Sequence, residues 1–323
     1  MCQTFFIFRR LKRYMSIKTE LHNSKVYFNL QLLASQVVEG LITGIHKSPF
    51  HGFSSEFAEH KVYNNGESTK HIDWKLFART DKLYTKKYEE ETNLRCHLII
   101  DNSASMHYPK RKSFSVTNLN KIGFSVLSSA IIMQLLKKQR DAVGLSVYNN
   151  TYDFHVPEKG SERHYNLITN QLEQILSNQP RASDTNTVKY LHEIAEKIHK
   201  RSLIFFFTDM FQYAANKQEL FDALKHLKYN KHEVVLFHTL DYTTEVNFDY
   251  TNTPKSFVDV ETGEKVDLYP ENIKEVFAEK MNSFIDDIKL ECAKYKIKYV
   301  AVNTSGEFGK IVNTYLVEKQ KFG

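Results

Sequence analysis

What this sequence has little of narrows the field first. It carries 3 Cys, 6 Pro, 11 Gly and a single Trp in 323 residues. The cysteines, Cys2, Cys96 and Cys292, are odd in number, far apart and never in a CxxC pair. That pattern excludes a disulfide framework and a cysteine zinc site, and it fits a reducing, cytoplasmic compartment. So few Gly and Pro leave no room for a long flexible linker or a low-complexity tract. No apolar run approaches the ~20 residues of a membrane-spanning helix, so no membrane anchor is expected. Near the start, the apolar Phe5–Phe8 stretch precedes Arg9–Arg13, the reverse of a secretory signal, and Met15 is an alternative first residue. There is no GxSxG elbow and no Walker A loop, which removes the common serine-hydrolase and ATPase routes. Nor is charge of one sign collected. Lys and Arg number 44 against 38 Asp and Glu, and runs such as KKYEEE mix the two, so no phosphate-tracking stripe forms and no nucleic-acid partner is expected.

What is present is apolar and aromatic: 41% hydrophobic residues, with 18 Tyr and 23 Phe, enough to bury a full core. From Leu94 onward strand-like and helix-like segments alternate. RCHLII (95–100), AVGLSVY (142–148), SLIFFFTD (202–209), EVVLFHTL (233–240) and IKYVAVNT (297–304) read as buried strands, and Cys96 as a small buried hydrophobe. TYDFHVP (151–157) alternates like an edge strand after an Asn149-Asn150 turn. The spacing predicts helices over 29–41, 119–138, 162–177, 187–200, 217–228 and 271–294, with one more closing the chain. The helix at 119–138 reads as amphipathic, and a hairpin is expected from Phe257 to Val266, turning at Thr262-Gly263. The expected fold is therefore α/β: a doubly wound, mostly parallel six-stranded sheet over residues 93–323 with one antiparallel edge near Tyr152. Residues 1–92 form an N-terminal helix and an irregular, partly β extension, in which Trp74 and Phe77 read as core aromatics and Asp73 and Arg79 as an ion pair or cap.

In such sheets chemistry gathers beyond the C-terminal ends of the strands, where Asp101 and Asp209 fall. Asp101, Ser103 and Ser105 alternate in the loop leaving their strand, so an extended loop would aim all three oxygens the same way. Thr185 precedes a helix, and Asp209 ends the next apolar strand. One carboxylate, two hydroxyls and these two further oxygens make a hard donor set, suited to Mg²⁺ or another hard divalent cation and unsuited to zinc. The bland alternative is that the Asp and Ser side chains only cap a turn and the helix after it. The histidines look dispersed, with His107 alone near the motif, as a rim residue.

Asp101-Asn102-Ser103-Ala104-Ser105, Thr185 and Asp209, in this order on this framework, resemble the metal-ion-dependent adhesion site of von Willebrand factor A domains over about residues 93–318. The segment before it carries Gly44-Ile45-His46-Lys47-Ser48, Glu56-Phe57, Tyr63, Gly66-Glu67, His71-Ile72-Asp73-Trp74 and Ala78-Arg79. These resemble the family called "domain of unknown function 58", departing from it at His60-Lys61 and Lys70-His71, where Arg is usual, and at Glu67, where Asp is. The resemblance implies a Rossmann-type von Willebrand factor A fold and association with a MoxR-type AAA+ ATPase in a chaperone-like or assembly role. The function expected is a non-enzymatic, metal-dependent protein-interaction module whose partner, that ATPase or its client, contributes an acidic residue. A metal-assisted hydrolase using the same site is the alternative.

Overall fold

The apolar runs that end in aspartate form neighbouring parallel strands at the centre of one sheet. In the computed structural model, residues 29–45, 60–62, 74–86, 94–111, 118–149, 152–177, 187–211, 217–259 and 263–322 are described. Outside them lie the N-terminal stretch with Met15 and Cys2, most of the family-specific segment (46–59 and 63–73), Asn150, Thr185 and Thr262. The six strands are β3 (Arg95–Asp101), β4 (Ala142–Tyr148), β5 (Tyr152–Lys159), β6 (Leu203–Thr208), β7 (Glu233–Leu240) and β10 (Lys298–Asn303). Their order is β10-β7-β6-β3-β4-β5, and every pairing is parallel except β4 with β5. Two short antiparallel pairs stand apart: β1 (His60–Val62) with β2 (Tyr84–Lys86), and β8 (Lys255–Val258) with β9 (Lys265–Leu268).

Helices cover both faces. One face buries Leu98, Ile100, Leu145, Phe205, Phe207 and Phe237 against α1 (Leu30–Ile45), α3 (Lys121–Lys138), α4 (Glu162–Ser177) and α8 (Phe308–Phe322). The other buries Ile99, Ile204, Phe206 and Leu236 against α5 (Thr187–Lys197), α6 (Lys217–Tyr229) and α7 (Lys274–Lys294). Odd and even residues of one strand thus serve two cores, which is why the strands read as unbroken apolar runs. Leu30, Leu33, Ala34 and Val38 of α1 join the first core, although the sequence boundary at 92/93 leaves that helix with the N-terminal segment.

Two expectations are corrected. The helix α3 has no wet face over most of its length: Lys121 to Leu136 are all buried, because the sheet, α1, α4 and α8 enclose it. Trp74, at the start of the short helix α2 (Trp74–Thr80), is not a core residue: it is 62% exposed and meets Phe77 edge-on at 6.1 Å. Arg79 on the same helix is exposed, and Asp73 lies outside the described residues.

The histidines are dispersed in sequence and gathered in space. Glu158 accepts from His97 Nδ1 at 2.6 Å and from His199 Nδ1. That leaves His97 Nε2 to accept from the Ser146 hydroxyl at 2.7 Å, and Ser146 Oγ to accept from His155 Nδ1 at 2.9 Å. Serine, histidine and acid follow the order of a hydrolytic triad. Ser146 and His97 have no exposed surface, however, so no substrate reaches them and the relay is scaffold. Burial would raise the Glu158 carboxyl, but its bond and charge attraction to His97, with the bond to His199, together outweigh this and hold it down at about 2. The ring of His97 needs the missing side chain of Gly144: a Cβ there would lie 2.5 Å from His97 Nδ1. Gly144→Ala is expected to cost ~1–3 kcal/mol through overpacking, measured by urea unfolding; an unchanged midpoint would show that the ring has room to move.

Candidate metal centre

The chain enters the sheet at β3, steps outward through β4 to the β5 edge, then returns to β6 on the other side of β3 and leaves toward β7 and β10. Connections from β3 and β6 therefore diverge, opening a crevice beyond their C-terminal ends, which is where open α/β sheets place function. Asp101 is the last residue of β3, and its register neighbour on β6 is followed directly by Asp209. Both carboxylates are buried there.

Asp101 Oδ1 accepts the Ser103 N–H at 2.9 Å, and Oδ2 accepts the Thr208 hydroxyl at 2.8 Å. Ser103 is extended (φ −63°, ψ 162°), but Ser105 belongs to a 3₁₀ turn over Ala104–His107. The wholly extended loop expected from the alternation is thus corrected: a tight turn brings the second serine round. Their hydroxyls meet at 3.2 Å. Ser103 makes no side-chain cap to that turn, so the capping alternative does not account for its hydroxyl. The Ser105 hydroxyl lies close enough to Asp209 to help lower its carboxyl. Asp101, Ser103, Ser105 and Asp209 therefore form one continuous polar cluster.

Burial first, and Asp209 second, push the Asp101 carboxyl up to about 6. For Asp209 burial acts the same way but is overcome by the Lys121 ammonium, which leaves that carboxyl below its ordinary range. Lys121 Nζ donates to Asp209 Oδ2 at 2.8 Å and to Glu245 Oε1 at 2.6 Å, with no side-chain surface exposed. Met210, directly after Asp209, sits at φ 58°, a left-handed conformation that costs energy outside glycine and holds the Asp209 turn in a special shape.

Thr185 lies outside the described residues. Thr187, two positions on, opens α5 and is buried. Its hydroxyl and that of Tyr148, whose ionisation burial and then Asp101 strongly oppose, have no hydrogen-bond partner among the described residues. Tyr148 and Thr187 thus put two further buried hydroxyl oxygens on the Asp101 side of the cluster. Among the described residues no three His, Cys, Asp or Glu side chains group as a metal site. A cation here would use two carboxylates with hydroxyls, a set whose all-oxygen chemistry suits Mg²⁺.

Sequence reasoning missed Lys121, Glu245, Tyr148 and Thr187. It also missed His238, whose Nε2 donates to the Asp209 carbonyl at 2.8 Å while its Nδ1 accepts from Tyr299. His107 is partly buried and bonded to Asn102 Oδ1 at 2.9 Å rather than standing free on a rim. The one available signal was Lys121, a lone cation opening an otherwise uncharged, apolar stretch; the rest meet only through tertiary contacts. After β7 a π-helical turn, Tyr242–Val246, carries Glu245. Tyr108, just past the serine turn, donates to Thr244 at 2.8 Å and lies 2.7 Å from the Tyr250 hydroxyl, tying the two loops together.

Comparison with known proteins adds a family. A model described as "Protein of unknown function DUF58" matches residues 59–283. Uncharacterized protein Rv1480 of Mycobacterium tuberculosis and uncharacterized protein Mb1516 of Mycobacterium bovis are each 25% identical over 139 residues, 43% of this chain and 42% of theirs. The chain thus matches less than half the length of these curated relatives. Among solved structures, the conserved hypothetical protein BatB from Bacteroides thetaiotaomicron overlaps with a TM-score of 0.43 at 15% identity, over 71% of this chain and 99% of that one. The PilB minor pilin from Streptococcus sanguinis overlaps with a TM-score of 0.41 at 12% identity, over 75% and 65%. Among the described residues no helix is long and apolar enough to cross a membrane.

Proposed function

The chain belongs to the DUF58 family, and on that premise we propose that it is a non-enzymatic, metal-dependent protein-interaction module with a von Willebrand factor A-like, Rossmann-type domain. The observation that supports this is the meeting of Asp101, Ser103, Ser105 and Asp209 at the switch point of the sheet, with orphaned hydroxyls beside them. In this reading Asp101, Ser103, Ser105, Thr185 and Asp209 hold a Mg²⁺ ion. When bound, the ion supplies a positive centre that accepts one more oxygen ligand. The residues of this chain hold the ion with few charges, so an acidic side chain of a partner completes the set with charge assistance. The family resemblance makes that partner a MoxR-type AAA+ ATPase or a client it remodels, met in the cytoplasm.

Against the hydrolytic alternative, no hydrogen bond of His107 or His238 among the described residues goes to either serine: His107 Nε2 is bonded to Asn102, and His238 lies between Asp209 and Tyr299. General-base work would need one of them to face a serine hydroxyl or a water. The test is co-purification of the protein with a MoxR-type ATPase, with and without chelator. Chelation and Ser103→Ala are each expected to abolish the complex while circular dichroism stays native. Binding that survives both treatments would move the interface away from this site.

A further inference from the structure

We propose that Lys121 determines what this site accepts, by occupying one oxygen of Asp209 with a tethered ammonium so that a bound cation keeps enough positive charge to take a partner carboxylate. The proposal rests on the cation reading above.

The charge count carries it. Asp101, Asp209 and Glu245 bring three negative charges together, and Lys121 brings one positive charge. A divalent ion then makes the cluster neutral. Without the lysine it would remain negative and would repel an incoming carboxylate. Geometry adds that both Asp209 oxygens are engaged, Oδ2 by Lys121 at 2.8 Å and Oδ1 by the Phe211 N–H at 3.3 Å. A carboxylate oxygen that accepts one such bond keeps a second lone pair, so Asp209 can still hold a cation while the ammonium offsets its charge.

Lys121 is also placed to report on three loops at once. Its own N–H donates to the Tyr108 carbonyl at 3.0 Å, its ammonium binds the loops after β6 and β7, and it lies 4.6 Å from the Phe211 ring. Asn120 before it caps α3 by accepting the Gly123 N–H, and donates to the His107 carbonyl. The Lys121 backbone is therefore fixed at a capped helix end, and its ammonium is buried between two carboxylates. Fold stability alone does not call for this lysine, because a buried ion triad is generally no more stabilising than apolar side chains of the same volume.

The test measures cation binding directly, by calorimetric titration with Mn²⁺ alone. Lys121→Met alone removes the ammonium and leaves the cluster one charge more negative, whereas adding Glu245→Gln would restore the wild-type charge. A merely structural lysine predicts weaker Mn²⁺ binding in Lys121→Met. The proposal predicts tighter binding, by about tenfold or more, since a unit charge within a few ångströms in a partly buried site has an effect of at least that size. It also predicts that acetate no longer displaces water from bound Mn²⁺, read by proton relaxation. Unchanged or weaker Mn²⁺ binding in a folded variant would overturn it. Glu245→Gln alone gives a second reading: with its other counter-charge gone, Lys121 opposes the cation more strongly, and Mn²⁺ affinity should fall several-fold; no fall would overturn the proposal. Wild-type protein that takes up no Mn²⁺ at millimolar concentration would instead overturn the cation site itself.

Discussion

With divalent cations chelated, Asp101→Asn should unfold at a higher temperature than the wild type, by several degrees at pH 7. Burial and Asp209 raise the Asp101 carboxyl to about 6 from an ordinary 3.8. A carboxyl that binds its proton more tightly when folded favours the fold at low pH, and that advantage is lost as pH rises from about 4 to 6. At pH 7 the ionised Asp101 costs about 3 kcal/mol. Asparagine keeps the acceptor for the Ser103 N–H and removes the charge. Excess Mg²⁺ should reverse the ranking, because the wild type gains about 4.1 kcal/mol at a thousandfold excess over Kd and the variant gains nothing. Melting curves with chelator and with Mg²⁺, at pH 5 and pH 7, check both halves. A variant that melts below the wild type in chelator would show that Asp101 is held for structure alone.

The second large effect is expected far from that site. Glu158→Gln should lose about 3 kcal/mol at pH 7, since it places an amide N–H against one of two imidazole N–H donors inside the core. The pH dependence has a defined sign. Glu158 is held at about 2 against an ordinary 4.5, so its contribution is complete above about pH 4.5 and is lost as pH falls through 2. More than half of it should be gone by pH 3. His155, which burial pushes down to about 4 from 6.5, adds to the acid loss: its neutral form is favoured in the fold, and this stabilisation fades from pH 6.5 toward 4. Urea unfolding of wild type and variant at pH 7, 5 and 3 should therefore show two curves converging on the acid side. Parallel curves would mean that the carboxylate is not what the imidazoles hold.

The framework was legible because its signals are local. Apolar runs of six to eight residues ending in Asp, as at Ile100-Asp101 and Thr208-Asp209, name both the strand and the end where it stops. The antiparallel edge near Tyr152 followed from alternation. Thr187 was not singled out, because the spacing of TNT does not mark its hydroxyl as one the fold buries. Lys121 left a signal but was passed over for a different reason. At the start of a helix that reads as amphipathic, a lysine looks solvated, and the serines behind it look like a wet stripe. In the fold Ser125 satisfies its hydroxyl on the Lys121 carbonyl one turn back, while Ser128 and Ser129 are buried with no hydrogen-bond partner for their hydroxyls among the described residues. Glu245 lies 124 residues from the lysine it neutralises, and only the path of the chain across the sheet brings them together.

The antiparallel strand β5 has a consequence for how this molecule can associate. Among the described residues it is the last strand of its sheet, the position from which a strand can template pairing with another chain. Pro157 removes one backbone N–H donor, and the pairing with β4 is irregular in two places, between Val143 and Leu145 and between Val147 and Tyr148. Such irregularities twist an edge out of the plane a second strand would need. This border of the sheet is thus a poor template for strand addition, whether by a second copy in a crowded cell or by an unfolded segment during stress. Copies of this protein can be concentrated without zipping together along that side.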